Sequence, residues 1–194
     1  DALSYSKIKR FVIEEFIEEG IPLNKVHLPL SKRALWHLIY DINSGLHAIH
    51  KAGVIHKDIK PSNIIYANGH FIITDYGISI DNQSQLIEDF SHTTGYAPTA
   101  ELMTNDFSPN YDYYPFGFVI YLAATGFNPF SGRKEFIYRN AIERLTSKDF
   151  LSHEEIKSLP FRLQRLIKGL IIENKKLRWS YQHVLMWLFH IPFK

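Results

Sequence analysis

Asp58, Lys60, Asn63 and Asp75 are side chains whose types and spacing suit one kind of chemistry. The first three lie in His56-Lys57-Asp58-Ile59-Lys60-Pro61-Ser62-Asn63, directly after an apolar, helix-patterned stretch, and Asp75-Tyr76-Gly77 follows the hairpin that comes next. Two carboxylates, an amide and an ammonium are thereby expected on the same side of one hairpin. Carboxylate and amide oxygens are the ligands that Mg²⁺ prefers, with water and phosphate oxygens completing its shell. Chemistry at a phosphoryl group needs little more from a protein than positioning and charge neutralisation. A further group must orient the acceptor hydroxyl and take its proton. Asp58, Asn63 and Asp75 taken singly have a commoner duty in a turn or cap, so the joint spacing carries the argument.

The flanking elements must hold these groups together. From Ser31, an N-cap residue, the apolar positions Leu35, Leu38, Ile39, Ile42, Leu46 and Ile49 keep helical spacing, and Gly53 lies just past the end. Asn63 to Tyr66 and Phe71 to Thr74 read as two short strands around Ala67-Asn68-Gly69-His70, where Asn-Gly is a strong hairpin signal. Upstream, Arg10 to Ile17 is rich in β-branched and aromatic residues and reads as a strand ending at Glu18-Glu19-Gly20. From Asp75 to Asp112 periodicity disappears, which predicts a loop of functional length. From Tyr113 onward helical patterning returns, at Phe116–Ala124, Glu135–Leu145, Phe161–Ile172 and Ser180–Phe189, with Pro129 and Pro160 as breaks.

Composition bounds the rest. With 45% hydrophobic residues in 194, the chain can bury a sizeable core, which argues against disorder. Lys and Arg total 22 against 20 Asp and Glu, so charge makes no case for nucleic acid or an anionic membrane as partner. The longest strongly apolar run, Phe116 to Ala124, is about half the ~20 residues a membrane helix needs. The absence of cysteine fits a reducing compartment, and a cytoplasmic location is the expectation. The ten histidines form no HExxH pattern, and His47 and His50 read as ordinary residues flanking a helix face.

In these motifs the chain resembles the protein kinase family, specifically its Ser/Thr type. Residues His56 to Asn63 are similar to the H-R-D-x-K-P-x-N catalytic loop, and Asp75-Tyr76-Gly77 to D-F-G. In family order, Gly45-Leu46-His47-Ala48-Ile49-His50 looks like the helix before that loop, and Asp112-Tyr113-Tyr114-Pro115-Phe116-Gly117 like a later helix start. Thr125 to Phe130 and Asn174 to Ser180 resemble further landmarks. The resemblance implies an α+β, mainly α-helical fold: a kinase C-terminal lobe with a short catalytic-loop β-hairpin. Residues 1–20 would be the last N-lobe strand and hinge, and 21–194 the C-lobe, with catalytic loop 56–63, activation segment 75–101 and helical bundle 112–194.

The same resemblance assigns roles. Asp58 would be the catalytic base, Lys60 would contact the γ-phosphate, and Asn63 and Asp75 would hold Mg²⁺. Backbone between Glu14 and Ile17, at Glu15 and Ile17, would hydrogen-bond the adenine of ATP, with Ile65 as the pocket floor and Glu18 or Glu19 near the ribose. Asp112 would brace the catalytic-loop backbone, and Glu101 would pair with Arg178. The implied partner is a protein substrate with a Ser or Thr acceptor.

Some positions depart from the family pattern. Lys57 stands where arginine is usual and lacks the bidentate fork, so a simple solvent-exposed lysine is one reading of it. Tyr76 replaces phenylalanine, Glu14 falls where an apolar or small residue is usual, and Ser62 gives no basis for a preference for basic substrates. Gly95 to Glu101 is one residue longer than G-Y-x-A-P-E, and Thr93 or Thr94 is the threonine that would contact Asp58 and Lys60, or a plain loop residue. No two of the ten glycines have G-x-G spacing, and no residues precede Asp1 to supply a phosphate-binding lysine. The expectation is that the N-lobe comes from the same or another chain and that this chain alone is inactive or feeble. Two alternatives stay open: a pseudokinase or scaffold lobe, and a small-molecule phosphotransferase.

Overall fold

The computed structural model describes residues 17–76, 80–81, 97–98, 101, 104, 106–128 and 154–191. Helix α1 spans Lys32–Lys51, and its start is the expected one: the Ser31 side chain accepts a hydrogen bond from the Ala34 N–H at 3.2 Å. Leu35, Leu38, Ile39, Ile42 and Leu46 are buried at the predicted positions, Ile49 is partly buried, and Asn43 is buried beside them. Each such Leu or Ile contributes roughly 1.5–3 kcal/mol by leaving water. After the helix, Gly53 takes φ +80° and the chain turns into strand β2, Val54–Ile55.

The predicted hairpin is present as β3, Ile64–Ala67, and β4, His70–Ile73, paired antiparallel with Ile65 opposite Ile72. Asn68 and Gly69 both have positive φ, +51° and +85°, the geometry that makes Asn-Gly a favoured two-residue turn. A short strand β1, Ile21–Pro22, pairs with the other edge of β3, giving the order β1-β3-β4. The Asp41 carboxylate on α1 accepts a hydrogen bond from the Phe71 N–H at 2.9 Å, which fastens the sheet to the helix.

The described residues of the stretch from 75 to 112, expected as continuous loop, include ordered elements. Strand β5, Ile80–Asp81, pairs with β2, and a 3₁₀ turn, Pro109–Asp112, leads into the next helix. Neither had a readable period, because a two-residue strand and a single 3₁₀ turn are shorter than any pattern that marks them. Helix α2, Tyr113–Thr125, begins where helical patterning was expected to return, and Tyr113 to Ala123 is buried throughout with no amphipathic edge. It packs against α1 and against α4, Phe161–Leu170. A short α3, Glu154–Lys157, precedes α4, and α5, Tyr181–Leu188, packs on α1. The strand expected at 10–17, apart from Ile17, and the helix expected at 135–145 lie outside the described residues. Among the described residues no helix is long and apolar enough to cross a membrane.

The start of α5 carries a pH-sensitive contact. Ser180 N–H donates to His183 Nδ1 at 3.2 Å, a reciprocal cap in which histidine takes the place usual for Glu or Gln. Only neutral imidazole accepts this bond, and burial pushes the His183 pKa below its ordinary 6.5. Between the lowered native value and 6.5 the unfolded chain binds the proton and the native one does not, so this contribution is complete above 6.5 and declines as pH falls through it. Urea midpoints compared at neutral and mildly acidic pH should fall less steeply for His183→Gln than for the wild type; parallel declines would exclude the cap as a titrating element.

Candidate active site

The site is built on Asp112, at the end of the 3₁₀ turn and fully buried. Its Oδ2 accepts from the His56 N–H at 2.9 Å and lies 2.7 Å from His50 Nε2, and its Oδ1 accepts from the Lys57 N–H at 2.8 Å. One carboxylate thus joins the last turn of α1 to the loop after β2. Lys57 has φ +69°, a left-handed conformation that a side chain adopts only when its surroundings enforce it. The expected bracing of the loop backbone by Asp112 is what the geometry displays.

The loop residues then meet one another. Asp58 Oδ2 lies 2.6 Å from Lys60 Nζ and accepts from Asn63 Nδ2 at 2.9 Å, while Asn63 Nδ2 also reaches the Asp58 carbonyl at 3.0 Å. Asn63 is buried at the end of the 3₁₀ turn Pro61–Asn63, so its amide orientation is set by both bonds. The fully buried His56 ring links the loop to β4's exit: Nδ1 accepts from the Asp58 N–H at 3.2 Å, and Nε2 faces the Thr74 carbonyl at 3.1 Å. The first contact assigns the proton to Nε2. Thr74 N–H in turn donates to the Asn63 carbonyl at 3.0 Å. Asp75, exposed and at φ +66°, is therefore the residue immediately after one pinned to both His56 and Asn63. The Tyr76 ring is tilted against His56, with centroids 4.9 Å apart.

Asn63 and Asp75 offer an amide oxygen and a carboxylate, hard donors of the kind Mg²⁺ takes. Both bonds from Asn63 Nδ2 go to Asp58, which assigns the nitrogen side of the amide and leaves the oxygen as the only atom able to ligate a cation. Among the described residues no group of three or more His, Asp or Glu forms a metal cage. Mg²⁺ shared with substrate phosphates is held through one or two protein ligands and needs none.

Ile17 and Ile65 converge on Gly20. A Cβ at Gly20 would lie 2.5 Å from Ile65 Cγ2 and 3.1 Å from Ile17 Cγ2, so only glycine permits that approach. Pro22, Ile65 and Ile72 share one face of the sheet by register. Glu15, like Glu14 and Thr93 and Thr94, lies outside the described residues.

Lys57 is not the exposed lysine that was one reading of it. It is 6% exposed, with Nζ 4.5 Å from the Phe107 ring centroid. Burial pushes its ammonium below the usual lysine value, and Asp112 pulls it partly back. Sequence reasoning also missed the roles of His50 and His56. A helix-face histidine carries no local mark of a carboxylate 62 residues away. The pairing of Glu101 with Arg178 is present, at 2.6 Å. The Arg178 guanidinium further donates to the carbonyls of Asn110, Ile172 and Glu173, so this buried cation is satisfied on every side. Burial raises the Glu101 pKa and Arg178 opposes the rise.

The sequence model of the protein kinase domain matches residues 3–189. The chain belongs to the protein kinase family. This kinase domain is 33% identical over 115 residues to "G protein-coupled receptor kinase 2" of Drosophila melanogaster, covering 56% of the chain and 16% of that protein. It is 29% identical over 133 residues to "Inhibitor of nuclear factor kappa-B kinase subunit alpha" of Xenopus tropicalis, covering 66% of the chain and 18% of that protein. The Xenopus laevis counterpart is 30% identical over the same length. The chain spans less than a fifth of the length of these curated relatives.

Proposed function

We propose that this kinase domain transfers the γ-phosphoryl group of ATP to a Ser or Thr hydroxyl of a protein. The observation that carries the reading is the single hydrogen-bonded cluster of Asp58, Lys60 and Asn63, one pinned residue away from Asp75. Asp58 orients the acceptor hydroxyl and takes its proton as the oxygen attacks the γ-phosphorus and ADP departs. Lys60 moves from Asp58 to the γ-phosphate. Asn63 and Asp75 hold Mg²⁺, which when bound supplies charge neutralisation at the phosphates. Ile65 forms the floor beneath adenine, and the backbone at Glu15 and Ile17 takes its polar edge.

In this reading residues 21–194 are the large lobe and 1–20 lead into it as strand and hinge. No G-x-G occurs in the 194 residues, so phosphate clamping falls to another lobe, in the same or another chain. The cysteine-free composition supports a cytoplasmic location.

The test is transfer from γ-labelled ATP by the full-length protein to a panel of Ser/Thr peptides, tyrosine peptides and small alcohols. Ser/Thr peptides should be labelled in a Mg²⁺-dependent reaction. Asp75→Asn should lower the rate by at least about 100-fold, the scale of losing one oriented electrostatic partner in the transition state. Labelling of small alcohols alone would favour a small-molecule phosphotransferase, and an Asp75→Asn variant as active as wild type would refute the assignment of Mg²⁺ to that carboxylate.

A further inference from the structure

Phe107 lies outside every motif that identifies the site, yet it holds one end of the catalytic loop. Lys57 is gripped twice: Asp112 takes its N–H at 2.8 Å, and the Phe107 ring receives its ammonium 4.5 Å from the centroid. A cation with 6% of the residue exposed has lost most of its water and needs compensation, which an aromatic face at this distance provides. The ring is itself fixed in place. It meets Tyr111 edge to face at 5.1 Å and packs on a satellite cluster of Ile55, Ala97 and Tyr111, separate from the main core. Ile55 directly precedes His56, so the cluster supporting Phe107 is covalently joined to the loop it steadies. Lys57 occupies the left-handed region at φ +69°, and the next residue is Asp58.

The geometry points to Phe107 as a positioning residue for Asp58: its ring face holds the Lys57 side chain, keeps residue 57 in its left-handed conformation and so sets the direction in which Asp58 leaves the loop. Phe107 acts through Lys57 and touches no reacting atom. The inference rests on the phosphoryl-transfer reading above. A leucine at 107 would fill most of the volume and keep the apolar packing, but it has no π face.

Steady-state kinetics of the full-length protein separate the two roles. Phe107→Leu should lower kcat about tenfold, the scale of a desolvated cation–π contact, with KM for ATP and peptide within about twofold of wild type. Phe107→Tyr, which restores the ring face, should recover most of the rate. A Phe107→Leu variant as fast as wild type, or a Phe107→Tyr variant as slow as the leucine, would overturn the proposal. A readout independent of turnover is the NMR position of the Lys57 ε-methylene resonances, assigned by their loss in Lys57→Arg. They should be shifted upfield by the ring in wild type and Phe107→Tyr and stand at the ordinary lysine position in Phe107→Leu; ordinary positions in the wild type would overturn the contact. Should no form of the protein transfer phosphoryl groups, the functional reading fails, and the resonances alone decide whether Phe107 holds Lys57.

Discussion

Asp58→Ala is expected to lower the rate of phosphoryl transfer by about 10²–10⁴-fold, the usual contribution of a positioned general base, while the protein stays folded. The separation of the two effects follows from the bonds around the residue. Asp58 Oδ2 serves Lys60 and Asn63, but Asn63 Nδ2 has a second acceptor in the Asp58 backbone carbonyl at 3.0 Å, which survives the substitution. Lys60 retains solvent access and loses only a partly exposed ion pair. Stability should therefore change by no more than about 1 kcal/mol, the net worth of one such bond. Initial rates with γ-labelled ATP beside urea unfolding of the same preparations would check both halves. A variant retaining a tenth or more of the wild-type rate would remove Asp58 from the role of base.

Asp112→Ala should do the opposite kind of damage, costing fold and activity together. Its carboxylate serves the His50 ring and the backbone N–H groups of His56 and Lys57, all within a buried setting. Alanine leaves three donors without their acceptor, and each orphaned buried donor costs about 1–3 kcal/mol, so a loss on the order of 3–5 kcal/mol is expected. Lys57 would then lose one of its two grips, the acceptor of its N–H, and relaxation of its backbone from φ +69° would carry Asp58 out of register with Lys60 and Asn63. Asp112→Asn is the informative companion: an amide cannot accept on both of its arms, so one N–H would face another. It should lie between alanine and wild type in stability. Denaturant unfolding that found Asp112→Ala within about 0.5 kcal/mol of wild type would show that the carboxylate is not what holds the loop.

These two residues also mark how far the chain can be read without coordinates. Asp58, Lys60, Asn63 and Asp75 stand within a short span around one hairpin, and the Asn68-Gly69 turn that brings the span's ends together is written in two adjacent residues. Helix α1 was legible for the same reason: its cap at Ser31 and its apolar period are local quantities. The role of Asp112 and its counterpart, the Glu101–Arg178 pair, came from resemblance to a family, and no property of those residues alone announces either. The start of helix α2 at Tyr113 was legible as well, although Tyr113 to Ala123 is buried throughout and has no polar face.

What the amino-acid order by itself determined is thus the set of chemical groups, their local turns and the helices and strands between them, all governed by backbone preference and periodicity over a few residues. The tertiary structure alone decided which distant groups meet: that His50 faces Asp112, that the His56 ring spans Asp58 and Thr74, and that Lys57 turns inward onto Phe107 rather than outward to water. Those pairings depend on which surfaces the packed helices and hairpin bury against one another, and a lysine or histidine has the same local propensities whether its partner is solvent or a buried ring.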